Sequence, residues 1–169
     1  MRHILRGFTM FAKGYDFGYE VEELGVALPD EVYTDHKYGG TIMPAQVPIL
    51  MVNNIEPTMK MGSYNPELLD MLMRPLGQRD TFTFRKAVVD EEDGKEHSHV
   101  YIYEGRLASA KPSAANKEGK SEIDYTIKGV WYMKYMVDDE IIHELGLKPA
   151  RLRIRGVDHL AGINRALGR

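Results

Sequence analysis

The longest regular pattern in the sequence runs from Glu122 to Met136 and predicts one unusually long β-strand. Its odd positions are mostly apolar or aromatic: Ile123, Tyr125, Ile127, Gly129, Trp131, Met133 and Tyr135. Its even positions begin with four polar residues: Glu122, Asp124, Thr126 and Lys128. Because successive side chains of a strand point to opposite faces, we expect Trp131 and its neighbours in the core and the polar face outside. A strand of about 15 residues, where five or six are usual, needs a long partner.

Most of the remaining sequence also has the patterns of short strands. They are predicted at residues 8–12, 17–21, 32–36, 56–62, 81–89, 98–107, 141–145 and 151–155. Asn65 followed by a proline and an acid predicts a helix over 66–74, and Asp158 is expected to cap a second over 158–167. A small-residue loop is expected from 108 to 121. The pattern is typical of a mainly β, antiparallel sandwich or barrel with two short helices, in one domain over 1–169.

Residues 38–50 combine two glycines and two prolines with apolar residues and carry no formal charge. Because proline cannot sit in a central strand, a regular buried strand is not expected here. An uncharged apolar loop exposed to water requires a covering surface. Two interpretations remain open: a loop packed on its own domain, or an arm that docks on another subunit.

Composition excludes several classes of function. The chain has 43% hydrophobic and 28% charged residues, which indicates a globular protein rather than a disordered one. A formal net charge of −3 does not point to a polyanionic or polycationic partner. The lack of cysteine excludes disulfides, thiolate catalysis and cysteine-based zinc sites. No apolar run is long enough to span a membrane, so we expect a soluble protein without a membrane anchor, made in a cytoplasm.

Two local motifs are possible sites of chemistry. Gly119-Lys120-Ser121 is like the end of a phosphate-binding loop, but Ala114 stands where that loop needs glycine, and a strand follows instead of a helix. His97 and His99 share one strand face and could ligate a metal, although a solvated hairpin end is the preferred interpretation. The residues therefore predict no enzyme, no cofactor and no metal site.

Several segments stand out in this order along the chain: Tyr38-Gly39-Gly40, residues 62–69, Phe84-Arg85, residues 104–107, residues 156–160 and residues 165–168. Together they resemble the major tail tube protein of contractile-tailed phages, a P2-like family shared with R-type pyocins. The resemblance spans nearly the whole chain, and its most specific part is the closing segment.

The resemblance implies a structural function. Tube proteins of this family form sixfold rings that stack into a hollow tube, which penetrates the host envelope and conducts the phage genome; in pyocins the tube carries no DNA. The implied partners are further copies of the chain, the tail sheath protein, and the baseplate and tail terminator proteins. DNA would pass through the lumen without specific binding. The implied location is the tail of the virion, assembled in the host cytoplasm.

The resemblance also implies two sets of site residues. The uncharged arm becomes a contact between rings, through Tyr38, Gly39, Gly40, Ile42, Met43, Val47 and Ile49. A lumen along which DNA slides should be weakly acidic or of mixed charge, because net positive charge binds phosphates. The candidate lumen residues are Glu104, Glu122, Asp124, Thr126 and Lys128.

Two other functions were considered. A tube subunit of a type VI secretion system would share the ring and the general barrel. A monomeric β-barrel that binds a small apolar ligand would instead need an internal apolar cavity.

Overall fold

The computed structural model describes residues 3–114 and 121–169 and confirms a mainly β, antiparallel fold with two short helices. The described elements in chain order are β1 (His3–Ala12), β2 (Tyr15–Asp16), β3 (Val21–Gly25), β4 (Glu31–His36), β5 (Ala45–Val52), β6 (Thr58–Met61), α1 (Pro66–Leu69), β7 (Asp80–Asp90), β8 (Glu96–Pro112), β9 (Ile123–Val137), β10 (Glu140–Gly146), β11 (Arg151–Ile154), β12 (Val157–Asp158) and α2 (Ala161–Ala166).

Strand β9 organises the sheet, as its length predicts. It pairs with β8 along most of its length, while its other edge is shared between two strands. Residues 123–126 pair with β6, and residues 132–137 pair with β10. The order β1-β7-β8-β9-β6-β3 forms a barrel wall, and β3 returns beside β1. Residues 140–158, which we call the C-terminal flap, extend the sheet from the second half of β9 as β10, β11 and β12.

The core lies inside this wall and follows the predicted alternation. On β9, Ile123, Tyr125 and Ile127 are buried, whereas Asp124 and Lys128 between and beside them are exposed. The largest fully buried side chains are Tyr103, Tyr125, Phe82, Phe84, Met10, Met61, Leu68, Met71, Ile123, Ile127 and Met133. Burying an apolar side chain of this size contributes about 1.5–3 kcal/mol, so this cluster is the main source of the barrel's stability.

The prediction that Trp131 lies in the core is wrong, because β9 bulges at this point. Gly129 has a φ of +60°, and the register with β8 shifts beside Gly105. The bulge turns the Trp131 side chain outward, where it is 39% exposed. The guanidinium of Arg79 lies 3.4 Å from the centre of the indole ring and covers part of it.

The first helix is shorter than predicted, ending at Leu69 rather than near residue 74. Its start is confirmed, because the Asn65 side chain accepts a hydrogen bond of 3.1 Å from the Glu67 amide. It ends early because the chain forms turns after Leu69, and Met73 has a positive φ of 52°, which is incompatible with a helix.

The second helix begins at Ala161 rather than at Asp158. Asp158 belongs to β12, and its carboxylate accepts a hydrogen bond of 2.9 Å from the Leu160 amide before the helix starts. Neither helix, and no other part of residues 3–114 and 121–169, is long and apolar enough to cross a membrane as a helix.

Several strand boundaries also differ from the prediction, and β1 begins at His3 rather than at Phe8. Residues 17–20 form a turn, because the amides of Glu20 and Val21 both donate to the Phe17 carbonyl, at 3.0 and 3.1 Å. The strand expected at 17–21 therefore starts only at Val21. In the predicted loop 108–121, residues up to Pro112 continue β8, because they find partners on β9.

Candidate functional site: the arm and the barrel wall

Residues 31–52, which we call the arm, form a hairpin that stands apart from the barrel. Strands β4 and β5 pair with each other in a separate two-stranded sheet. All eight residues of β5 are exposed. The interpretation of residues 38–50 as a loop packed on its own domain is therefore wrong, and the segment is part of a longer protruding hairpin.

Strand β5 contains Pro48. Because proline does not sit in a central strand, the sequence predicts no regular buried strand here. In a two-stranded sheet each strand keeps one unpaired edge, where a residue without an N–H is tolerated. The hairpin is also irregular: Leu50 has a φ of +55°, and the register shifts between Glu31 and Tyr33. Proline is therefore compatible with a strand at β5, and this strand is exposed rather than buried.

The seven predicted contact residues all lie on the arm, from its tip to the middle of β5. Val47 and Ile49 lie on β5, and the other five form the connection between the strands: Tyr38, Gly39, Gly40, Ile42 and Met43. Gly40 has a φ of +98°, and the Thr41 amide and hydroxyl both donate to the Tyr38 carbonyl, at 3.2 and 2.9 Å. This turn leaves Ile42 and Met43 among the most exposed apolar side chains of the chain.

The base of the arm contains residues that the sequence did not single out. The Tyr103 hydroxyl donates to the Ala27 carbonyl at 2.7 Å and accepts from the Ala27 amide at 3.2 Å. On the returning side, the Ile127 amide donates to the Pro57 carbonyl at 2.9 Å. These contacts join residues far apart in sequence, so no local pattern marks them.

The five candidate lumen residues lie on the wall of the barrel but do not form one patch. Asp124 and Thr126 pair with Lys60 and Thr58 of β6 and line an open cleft of about 340 Å³. Glu104 lies on the other side of the bulge, in a cleft of about 130 Å³ with Trp131 and Arg151. Glu122 joins the first group, and Lys128 lies between the groups, opposite Arg106.

Several acidic residues of this wall are paired with cations. The Lys60 ammonium lies 3.1 Å from the Glu122 carboxylate and 3.7 Å from that of Glu23. The hydrogen bond to Glu122 and the nearby negative charges raise the pKa of Lys60. Lys128 lies 3.7 Å from Glu56. The wall therefore has mixed charge rather than a continuous acidic surface.

The two histidines considered for a metal site have separate partners. His97 Nδ1 lies 2.6 Å from the Asp138 carboxylate, and His99 Nδ1 lies 2.9 Å from the Tyr135 hydroxyl. Burial lowers the pKa of His99. Within the described residues, no group of three or more histidine, aspartate or glutamate side chains is arranged to hold a metal. Gly119 and Lys120 of the phosphate-loop-like motif lie outside the described residues.

Comparison of the sequence with protein families gives one match over nearly the whole chain. The family described as Phage tail tube protein FII matches residues 2–168. No curated protein matches the chain significantly.

Solved structures with a similar fold come from contractile injection systems. One is a chain of the sheath–tube complex of PVC, an extracellular contractile injection system, in its extended state: 10% identity, TM-score 0.56, covering 78% of this chain and 88% of that one. Another is from the PVC sheath/tube terminator: 7% identity, TM-score 0.55, covering 78% and 93%. A third is from the anti-feeding prophage baseplate: 9% identity, TM-score 0.53, covering 80% and 96%. At such low identity the likeness is one of fold.

Proposed function

The chain belongs to the phage tail tube protein FII family, and we propose that its copies form sixfold rings that stack through the arm into a hollow tube. Within this family the protein is a structural subunit of a contractile tail tube. The observation that carries the proposed stacking is the arm itself, an uncharged hairpin tip on a strand whose eight residues are all exposed.

An exposed apolar hairpin is unfavourable for a monomer in water, whereas in a subunit of an assembly it provides a contact surface. Its strands have unpaired edges, and its tip presents Ile42 and Met43 to water, so a covering surface is favourable. If the arm of one copy docks on a different surface of the next, the contact is heterologous, and such contacts extend into filaments. A stack of rings follows from that rule.

The stacking proposal is tested by making the tip polar. We expect the double variant Ile42→Ser, Met43→Ser to fold but to form no tubes, because its apolar contact is lost. The matched control Ile42→Val, Met43→Leu keeps the tip apolar and should form tubes. Sedimentation and electron microscopy of the purified proteins measure the outcome, and tubes of normal length from the serine variant would exclude the arm as the stacking contact.

We place Glu104, Glu122, Asp124, Thr126 and Lys128 in the lumen of the tube. The mixed charge of this wall supports the placement, because paired acids and bases hold phosphates less strongly than a basic surface. Reversal of charge at Glu122 and Asp124 should slow genome ejection and leave tubes intact. Ejection at the normal rate from such particles would contradict the placement.

The other proposed partners are the tail sheath, the baseplate and the tail terminator, with DNA passing along the lumen. Support comes from the similar folds, which belong to chains in a sheath–tube complex, a terminator and a baseplate. On this proposal the protein is located in the tail of a virion and assembles in the host cytoplasm. Co-purification of sheath protein with the tube from lysates tests the first of these partners.

A DNA-free injection particle is the second candidate, because one of the similar structures is a chain of an extracellular contractile injection system. The DNA content of particles that contain this protein separates the two. A type VI secretion-like tube shares the same ring and is separated by the absence of tail-fibre genes beside its gene. A barrel for a small apolar ligand is not favoured, because buried tyrosine, phenylalanine and methionine side chains occupy the interior.

A further inference from the structure

The direction in which the arm leaves the barrel depends on the arm's base. Strands β4 and β5 pack mainly on each other, and β5 is exposed along its whole length. The barrel therefore orients the arm through the two segments that connect them, residues 26–30 and 53–57. The Asn53 amide donates to the Asp30 carbonyl at 2.8 Å, so the two segments are themselves joined.

Each connecting segment is hydrogen-bonded to the barrel wall. On the outgoing side, the Tyr103 hydroxyl binds both backbone groups of Ala27, donating to the carbonyl and accepting from the amide. On the returning side, the Ile127 amide holds the Pro57 carbonyl. The Ile127 contact is a single backbone bond, whereas the Tyr103 contact holds both the amide and the carbonyl of one residue.

The Tyr103 hydroxyl is held in a fixed position by the packing of its side chain. The side chain is fully buried, and its ring packs edge-on against Phe84 with centroids 5.5 Å apart. Burial raises the pKa of Tyr103, so its hydroxyl stays protonated and keeps its donor at physiological pH. A rotation of Ala27 would break both bonds to a group that cannot follow it.

We propose that Tyr103 is a positioning residue that sets the direction of the arm for docking on the next ring. The inference rests on the proposed stacking function of the arm. By holding Ala27 in one orientation, Tyr103 presents the arm in its docking geometry before contact. Less freedom is then lost when rings stack, and a preorganised element binds more tightly than a freely hinged one.

A merely structural bond would act differently from a positioning bond. If Tyr103 only stabilises the barrel, its loss lowers stability and affects stacking no more than any core change of equal cost. If it orients the arm, its loss weakens stacking beyond that amount and frees the amide of Ala27. Compared with a core variant of equal stability, loss of the hydroxyl therefore impairs tube assembly further only if Tyr103 positions the arm.

The structure offers a matched control for removing the hydroxyl. Tyr125 is also fully buried, but its hydroxyl has no hydrogen-bond partner among the described residues. Tyr103→Phe and Tyr125→Phe thus delete the same atom from two buried rings, and only the first breaks contacts with the arm. Ile123→Val, in the core and away from the arm's base, serves as a control for lost stability.

The experiment measures tube assembly and amide hydrogen exchange in the three full-length variants. For Tyr103→Phe we expect a roughly fivefold rise in the protein concentration needed for tubes, the equilibrium effect of one typical hydrogen bond. We also expect faster exchange at Ala27. Tyr125→Phe should match the wild-type protein, and Ile123→Val should leave exchange at Ala27 unchanged relative to the rest of the barrel.

Two results would overturn the inference. One is Tyr103→Phe assembling at the same concentration as Tyr125→Phe; the other is Ile123→Val impairing assembly equally at equal stability. The arm-tip variants keep these results separate from a failure of the stacking proposal. If the serine tip blocks tubes while Tyr103→Phe does not, the arm stacks rings without help from Tyr103. If the serine tip forms tubes, the stacking proposal itself fails.

Discussion

The barrel and the arm are built from the same kind of structure, paired antiparallel strands, but they bury very different amounts of their side chains. In the barrel, alternate residues of β7, β8 and β9 are buried against one another. In the arm, β5 has no buried residue. An isolated two-stranded hairpin is marginal in water, whereas a sheet of several strands with a buried apolar face is stable by itself. The barrel therefore accounts for folding, and the arm is left available for association.

The largest expected effect separates the two regions directly. Phe82→Ala, in the fully buried core, should lower the free energy of unfolding by about 3–5 kcal/mol. Ile49→Ala in the arm should change it by less than about 0.5 kcal/mol, because the side chain already contacts water. Urea denaturation below the concentration for assembly measures both. A large loss from Ile49→Ala would mean that the arm is part of the folding unit.

A smaller effect is expected in the loop of residues 72–79, which is exposed like the arm but tied to the barrel. The Arg106 guanidinium donates to the carbonyls of Arg74, Pro75 and Gln78, the last two at 3.0 and 3.4 Å. Arg106→Met should cost about 1–3 kcal/mol, since bonds to a charged group are lost. Denaturation with hydrogen exchange over the loop tests this.

The control for this loop is Arg85→Met, on the exposed face of β7. Its guanidinium lies 5.7 Å from the Phe11 ring, so we expect a change below about 0.5 kcal/mol. If both variants lower the free energy of unfolding by the same amount, the loop does not need the Arg106 hydrogen bonds to the barrel.

The smallest effect concerns the C-terminal flap and appears as pH dependence. Glu144 is buried, which alone would raise its pKa, but hydrogen bonds from Arg151 and Tyr132 and the charges of Arg151 and Arg153 hold the pKa of Glu144 below its usual value. A carboxyl with a lowered folded pKa stabilises the protein above its unfolded pKa, and this contribution disappears as pH falls through the folded pKa.

Glu144→Gln should therefore remove part of the acid destabilisation below the usual carboxyl pKa of 4.5. The exposed pair of Glu140 and Arg155 gives the control, and Glu140→Gln should leave the acid profile unchanged. Thermal denaturation between neutral and acidic pH measures both profiles. If the stability of Glu144→Gln depends on pH as that of the wild-type protein does, the flap unfolds without exposing the Glu144 carboxylate to solvent.

The sequence predicts the barrel better than the arm for a physical reason. Alternation along β9 reports which side chains face the core, and the observed strand differs from the prediction by one residue at each end. The position of Trp131 could not be predicted, because the bulge depends on the register between Gly129 and β8. Pro48 correctly indicates that no central strand forms there, but it cannot distinguish an exposed strand from a loop.

The two sets of predicted site residues also differ in how far the structure supports them. The contact residues of the arm all lie within residues 38–49 of one hairpin, so formation of the hairpin brings them near one another. The lumen residues come from one long strand and one neighbour, and the bulge between Glu104 and Asp124 divides them. Their placement in the lumen remains a prediction.

The anchors at the base of the arm impose an order of events during synthesis. The arm emerges from the ribosome before Tyr103 of β8 and Ile127 of β9, the residues that hold its two connecting segments. A partly synthesised or misfolded chain thus has the hairpin sequence but not its anchors. On the proposed stacking, only a chain whose barrel has folded presents the arm in a fixed direction, so growth of the tube would select folded subunits.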